Sequence, residues 1–387
     1  MSNSTHPLLS LVIPTRERPE TLGYTLRTAL DQRSQNFEVI VSDNFSQDNT
    51  AQVVKSFSDP RLRLINPGRR LSMSSHWEFA LLRATGDYIM FIGDDDAIVP
   101  GGLDQLEASI LTTRALTYCW PRPIYNWPMD GKPANIVRLP PPHGPSEIDL
   151  KTAARLSASK GLWDPLVPSM YHSVVAKRIP DAIRENTGRV FHTTQPDVFM
   201  AMAVPVFASE AHDVGHYVSV AGQSEKSNSG VNQRSGRLEY FDKFLQEYDG
   251  YKIHPTLFPE IPIGLNLTAD SLLVAMDKFP DFYSGMAFNY DAMWAVLLRD
   301  NSTVYRYKLS TWDVLRKRRQ IRRYHPFHAG RFLLYSASHR LRGLKGTALE
   351  RVRTFHRQVT PVPDDIYAFV KKLTDVNWLR HCLEGFN

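Results

Sequence analysis

"YIMFIGDDDAIVPGGL", residues 88–103, decides how this chain of 387 residues is read. A strand-like apolar run ends in three adjacent carboxylates, Asp94, Asp95 and Asp96, and a helix-like segment, "PGGLDQLEASIL" (100–111), follows. Neighbouring acids repel one another and lose hydration when they are buried. One of them, Asp96 by position, can cap the helix by accepting from its free amides. Three exceed what a cap needs, and their repulsion would raise a pKa unless a cation stands nearby. The stretch therefore predicts a metal or polar-ligand site at the end of a buried strand.

The surrounding sequence supplies the frame. "LLSLVIP" (8–14), "FEVIVSD" (37–43), "RLRLIN" (61–66) and "YIMFIG" (88–93) read as strands. They alternate with helical patterns at 19–32, 46–57 and 74–84. In the first of these Leu22, Leu26, Ala29 and Leu30 fall at helical spacing. Such alternation predicts an α/β fold with a mainly parallel sheet flanked by helices. Ligands of open α/β sheets bind beyond the carboxyl ends of the strands. Asp43 ends the second strand and Asp94 to Asp96 end the fourth, so one rim gathers all four acids.

Composition bounds the rest. With 42% hydrophobic and 22% charged residues the chain reads as globular. Its length predicts one large domain, 1–225, and a mostly helical, basic C-terminal region, 226–387. Cys119 and Cys382 match neither a disulfide framework nor a zinc pattern, which suits a reducing compartment. No basic leader precedes an apolar core at the N-terminus, and no apolar run approaches the roughly 18 residues of a membrane span. The expected location is cytoplasmic. Between Arg306 and Arg357 stand fifteen Lys or Arg against Asp313 and Glu350, an excess of 13 that leaves the remainder near −7. This stretch reads as a solvated face or as a peripheral contact with an anionic membrane surface or lipid diphosphate, at the inner face of the membrane. No nucleic-acid-binding module accompanies it. Eight prolines in 120–145 predict a loop over the sheet edge, and Gly, Ser and Asn in 218–236 predict a lid or linker.

The acids suit a hard divalent ion held by one or two carboxylates and by substrate phosphates; Ile98 and Val99 rule out a calcium-binding EF-hand loop. Together "LSLVIPTRERPETLGYTLRTAL", "FEVIVSDNFSQDNT" and "GDYIMFIGDDDAIVPGGL" resemble the family 2 glycosyltransferases, nucleotide-sugar enzymes of the GT-A fold. The resemblance is close over about 110 residues. It implies a GT-A, Rossmann-like sheet, an Mn²⁺ or Mg²⁺ cofactor, a nucleotide-diphospho-sugar donor carrying UDP, and a saccharide or lipid-linked acceptor in surface polysaccharide or glycolipid synthesis. Family positions map the nucleoside onto Pro14, Thr15, Arg16 and Asp43, and the sugar diphosphate and metal onto Asp94, Asp95 and Asp96. Asn44 and Gly93 depart from the family pattern, where aspartates are usual. Gly93 shifts the motif so that Asp95 leads as metal ligand, completed by Asp94 or Asp96. The segment 66–81 implies a diphosphate contact from Arg69 or Arg70. An inverting member draws its catalytic base from a carboxylate well downstream, and Asp197 in "TTQPDVFMAMAVPVF" (193–207) takes that place at a helix N-terminus that would keep it ionised.

Bland readings stand beside these. Arg69 and Arg70 can be exposed turn residues and Asp197 a helix cap. His76 caps or packs, and His172 in "SMYHSVVAKRI" reads first as a satisfied core histidine. His212 and His216 lack the Glu of a zincin helix. No nucleophile elbow, Walker loop or dinucleotide fingerprint is present. A nucleotidyltransferase, or a non-catalytic carbohydrate-binding or scaffold protein on a degenerate GT-A fold, would also place acids at this rim.

Overall fold

The computed structural model describes residues 6–129, 131–163, 167–227, 246–248, 250–258, 264–300, 312–314, 316–317 and 362–386. Most of the basic stretch 306–357, and with it the expected membrane contact, lies outside the described residues. So does the part of 218–236 from 228 onward.

The first elements follow the expected alternation: β1 (Leu9–Thr15), α1 (Pro19–Leu30), β2 (Phe37–Asp43), α2 (Thr50–Lys55), β3 (Leu62–Ile65), α3 (Met73–Leu81) and β4 (Tyr88–Phe91). Pro19 opens α1 with a pre-set φ, and Leu22, Leu26 and Ala29 bury one face of it. After Asp96 come β5 (Ala97–Ile98), α4 (Gly102–Thr113), β6 (Thr117–Cys119), β7 (Ile124–Asn126), β8 (Asn135–Arg138), β9 (Ser146–Asp149), α5 (Leu150–Lys160), β10 (Val174–Ala176), α6 (Arg178–Thr187), α7 (Pro196–Phe207), β11 (Glu210–Asp213) and β12 (Ser219–Gln223). The described C-terminal elements are α8 (Gly264–Lys278), α9 (Tyr290–Asp300), α10 (Ile366–Leu373) and α11 (Val376–Phe386).

Eight strands form the main sheet in the order β3-β2-β1-β4-β10-β6-β11-β9. β1 to β4 pair in parallel, while β10 runs antiparallel between β4 and β6. Alternate strand residues feed two cores. Leu11, Ile13, Val39 and Val41 face one side with α1 and α4; Val12, Ile40, Ile89 and Phe91 face the other with α3, α5, α7 and α8. Burial on both faces explains why these strands read as continuous apolar runs. The fold is the expected α/β arrangement of a mainly parallel sheet between helices.

Two expectations change. The proline-rich stretch 120–145 is not only a loop: β7 and β8 lie within it, in a second sheet of order β5-β12-β7-β8. Residues 219–223 supply the central strand β12 of that sheet rather than a lid. Prolines bound these short strands instead of interrupting their ladders. The described C-terminal helices share cores with earlier elements. α8 packs along α7, and α10 covers the small sheet, where the rings of Phe369 and Tyr125 stack with centroids 4.9 Å apart.

Candidate active site

Parallel register brings the predicted rim together. Thr15 pairs with Asp43, and Val12 with Phe91, so the chain leaving β4 runs level with the end of β1. Thr15 Oγ1 consequently donates to Asp94 Oδ2 at 2.6 Å, and Arg18 Nη1 holds Asp94 Oδ1 at 2.8 Å. Asp94, Asp95 and Asp96 are all buried. Each meets a different environment.

Asp96 is surrounded by protein donors. Gly222 N reaches Oδ1 at 2.7 Å; Gly93 N and Tyr171 Oη donate to Oδ2, and His172 Nε2 lies 2.8 Å from that same oxygen. Burial pushes this carboxyl up, but the His172 charge and these donors outweigh it and hold it below its ordinary value. Asp95 receives Ser224 N at 3.0 Å and Ser224 Oγ at 2.6 Å, both on Oδ2. Burial first, then the negative charge of Asp96, raises its pKa to about 7. It is the one acid of the three whose charge is poorly compensated. A Cβ at Gly93 would come within 3.0 Å of Asp95 Oδ1 and of Asp96 Oδ2, so the glycine leaves space in front of both.

A cleft of about 360 Å³ opens on this rim, with Pro14, Thr15, Arg16, Asp94, Asp95 and Asp197 on its walls. Asp197 sits in the first turn of α7. Enclosure raises its pKa, while the amides of Val198 and Asp197 and the charge of Arg122 pull the other way. The helix N-terminus orients this carboxylate but does not dominate its titration, contrary to the sequence expectation; desolvation is the larger effect. α8 steadies the turn before it, with Thr268 Oγ1 donating to Gln195 Oε1 at 2.7 Å.

Asp43 and Arg70 stand beside the cleft rather than on its wall. Asp43 Oδ1 accepts from Ser46 N at 3.0 Å and Oδ2 from Asn66 Nδ2 at 3.2 Å. Arg70 and Arg16 converge on Glu247, at 2.8 and 3.0 Å. His76 is buried, its Nε2 2.8 Å from Ser42 Oγ, and burial lowers its pKa to about 3. His172 is a core histidine, with Nδ1 2.8 Å from Ser219 Oγ. Sequence reading missed Arg18, Tyr171, Gly222, Ser224 and Glu247. Arg18 and Tyr171 stand within or beside the quoted motifs and Gly222 and Ser224 within the stretch 218–236, but nothing local in the sequence ties Gly222, Ser224 or Glu247 to the acids they reach through long-range folding.

A divalent ion bound with a diphosphate takes one or two carboxylates and completes its shell with phosphate oxygens and water. Among the described residues no three His, Cys, Asp or Glu side chains are arranged to ligate a metal by themselves. Asp95 fits the shared type of site: its Oδ1 lies at the space above Gly93, its charge lacks compensation, and it lines the cleft.

Residues 10–154, which include β1 and all three acids, match the family model described as Glycosyl transferase family 2. Over this segment the chain is similar to the family 2 glycosyltransferases. Curated relatives include an uncharacterized protein, MT1568, of Mycobacterium tuberculosis, 33% identical over 104 residues, which are 27% of this chain and 33% of the relative. Another is the GalNAc(5)-diNAcBac-PP-undecaprenol beta-1,3-glucosyltransferase of Campylobacter jejuni, 30% identical over 26% of this chain and 33% of its own length. A third, from Escherichia coli, is the UDP-Glc:alpha-D-GlcNAc-diphosphoundecaprenol beta-1,3-glucosyltransferase WfgD, 26% identical over 29% of this chain and 44% of its own length. The chain thus spans a third to under half of these relatives. Among solved structures, S. aureus TarS 1-349 in complex with UDP-GlcNAc overlays with a TM-score of 0.45 and 16% identity, over 76% of this chain and 80% of that one. No helix among the described residues is long and apolar enough to cross a membrane.

Proposed function

We propose that the chain is a metal-dependent, inverting glycosyltransferase that moves a sugar from a nucleotide-diphosphate donor to a hydroxyl acceptor. The observation that carries this reading is the single cleft joining Thr15, Arg16, Asp94 and Asp95 at the strand ends to Asp197 at the start of α7. The match of residues 10–154 to the family 2 model supports the reaction class, and the name of the E. coli relative supports a UDP-sugar donor and a lipid-linked saccharide acceptor.

Each residue then has a task. Pro14 and Thr15 form the nucleoside end of the cleft, and Asp43 shapes its edge from beside it through Ser46 and Asn66. Arg16 and Arg70 receive the diphosphate; the Glu247 carboxylate that now bridges them marks where an anion pairs with both. Asp95 would hold Mn²⁺ or Mg²⁺, which when bound supplies positive charge to the departing diphosphate. Asp96, with its oxygens engaged by protein donors, braces the loop and leaves metal ligation to Asp95. Asp94, locked by Thr15 and Arg18, sets the floor of the cleft. Asp197 takes the acceptor proton while the acceptor oxygen bonds to the anomeric carbon and the bond from that carbon to the diphosphate oxygen breaks. Attack from the face opposite the leaving group inverts the anomeric configuration. The basic stretch 306–357 adds a peripheral contact with an anionic membrane carrying the acceptor.

Incubation of the full chain with UDP-, GDP- and dTDP-sugars and Mn²⁺, followed by product analysis, tests the reading. Metal-dependent release of a nucleoside diphosphate is expected. Absence of release from every donor, together with no rise in melting temperature on adding donor and Mn²⁺, would sink it.

A further inference from the structure

A second cavity of about 220 Å³ adjoins the cleft, with Trp163 and Tyr171 in the walls of both. Several waters fit in that volume, at roughly 30 Å³ each in the liquid. Its lining carries two guanidinium groups, Arg122 from the proline-rich stretch and Arg138 at the end of β8. The opposing carboxylate is Asp213, and it is already committed: Oδ1 accepts from Gly215 N at 2.9 Å and Oδ2 lies 3.6 Å from His143 Nε2. Neither arginine side chain makes a hydrogen bond or ion pair among the described residues. Trp163 Nε1 is likewise a buried donor with no partner among them.

Arg138 is exposed at its strand end, whereas Arg122 is part-buried, and a guanidinium enclosed without an anion is costly, so a partner for it is expected where a site is built. Arg122 is enclosed enough for burial to lower its pKa, against the pull of Tyr171, Asp96 and Asp197, with Arg138 adding like charge. Its charge therefore reaches both the second cavity and the carboxylate that faces the acceptor. Paired arginines, an indole face and an indole N–H suit a saccharide bearing a phosphate or carboxylate.

We propose that this cavity is the acceptor subsite, and that Arg122 and Arg138 bind an anionic group, a phosphate or a carboxylate, on the saccharide whose hydroxyl faces Asp197. The inference rests on the glycosyltransferase reading for the role of Asp197, but the binding of an anionic sugar can be measured without transfer. Arg122 sets which acceptor is held, and the anion it binds removes the like-charge strain with Arg138.

The test is titration calorimetry on the full chain with three probes: N-acetylglucosamine 1-phosphate, glucuronic acid and neutral methyl N-acetylglucosaminide. At least one anionic sugar is expected to bind ten times or more tighter than the neutral one, and the tighter of the two assigns phosphate or carboxylate. Arg122→Gln is expected to weaken that anion about tenfold while UDP affinity holds within twofold. Arg16→Gln is expected to do the reverse. If Arg122→Gln does not fold, Arg138→Gln, on an exposed strand end, carries the same expectation. Equal affinity for anionic and neutral sugars, or an anion affinity unchanged in a folded Arg122→Gln or Arg138→Gln protein, overturns the subsite. UDP binding and turnover that persist in that case leave the glycosyltransferase reading standing. Loss of UDP binding with anion binding retained removes that reading and not the subsite.

Discussion

Asp95 carries the account at the residue scale. Its folded pKa of about 7 lies above the ordinary 3.8 of an unfolded aspartate, with burial as the main cause. Between those values the unfolded chain releases this proton while the folded chain keeps it. The Asp95 contribution to stability is therefore full below about pH 4 and is lost as pH rises towards about 7. Metal-free melting curves should fall through that window in the wild type and fall less in Asp95→Asn; parallel curves for the two proteins would contradict the assignment. Asp197→Asn is expected to lower kcat by roughly 10²–10⁴ with donor Kd nearly unchanged; a near-normal kcat removes it as base. Because Asp197 is raised and Arg122 opposes that rise, Arg122→Gln should move the acidic limb of the kcat/KM profile to higher pH. Glu247→Gln frees Arg16 and Arg70 and should tighten UDP binding a few-fold; a weaker or unchanged Kd speaks against their role with the diphosphate. The two departures from the family pattern also make physical sense here. Asn44 donates from Nδ2 to Leu71 O at 2.8 Å and accepts Leu71 N on Oδ1 at 2.9 Å, a pairing an aspartate could not complete. A side chain at Gly93 would crowd Asp95, Asp96 and Tyr171. Three carboxylates and their order could be read from the sequence, but their separate environments could not, because Ser224, Gly222 and His172 arrive from far along the chain.

At the scale of elements, β12 does more for the site than its composition suggests. Its Gly222 passes so close to Asp95 that a Cβ there would collide with the Asp95 carbonyl, while its amide holds Asp96. Trp127, next to β7, donates Nε1 to that same carbonyl at 2.9 Å. Gly222→Ala should therefore cost about 3 kcal/mol or more, since backbone rather than a flexible side chain must give way. Thermal unfolding within one degree of the wild type would refute this close approach. β1, β2 and β4 were legible because burial on both faces makes apolar runs, and α1 because a single buried face makes a helical period. β7, β8 and β12 were not: strands of three to five residues among prolines and glycines take their stability from pairing with distant partners, which local patterns do not record.

On the scale of the whole molecule, the described C-terminal residues 362–386 do not hang on the α/β unit as a separable tail. Ile366, Phe369, Val370 and Leu373 of α10 are buried against α1 and the small sheet that backs Asp95. Each such side chain contributes about 1.5–3 kcal/mol by burial. Deleting residues 362–387 should lower the melting temperature and donor binding together; a deletion protein with wild-type melting would show that α10 is dispensable. The membrane contact is better tested by replacing arginines in 316–323 with glutamine and following sedimentation with anionic vesicles, where weaker binding with unchanged melting is expected. The basic excess of that stretch was visible in the sequence, whereas the integration of α10 depends on contacts that span more than two hundred residues, such as Tyr125 Oη to Pro363 O at 2.8 Å. The measurement closest to the central claim is the Kd of UDP-glucose for the full chain, with Mn²⁺ and with chelator, in the wild type and in Asp95→Asn. The account predicts at least tenfold tighter binding with Mn²⁺ in the wild type and no metal effect in the variant. Equal affinity with and without metal in the wild type would contradict it.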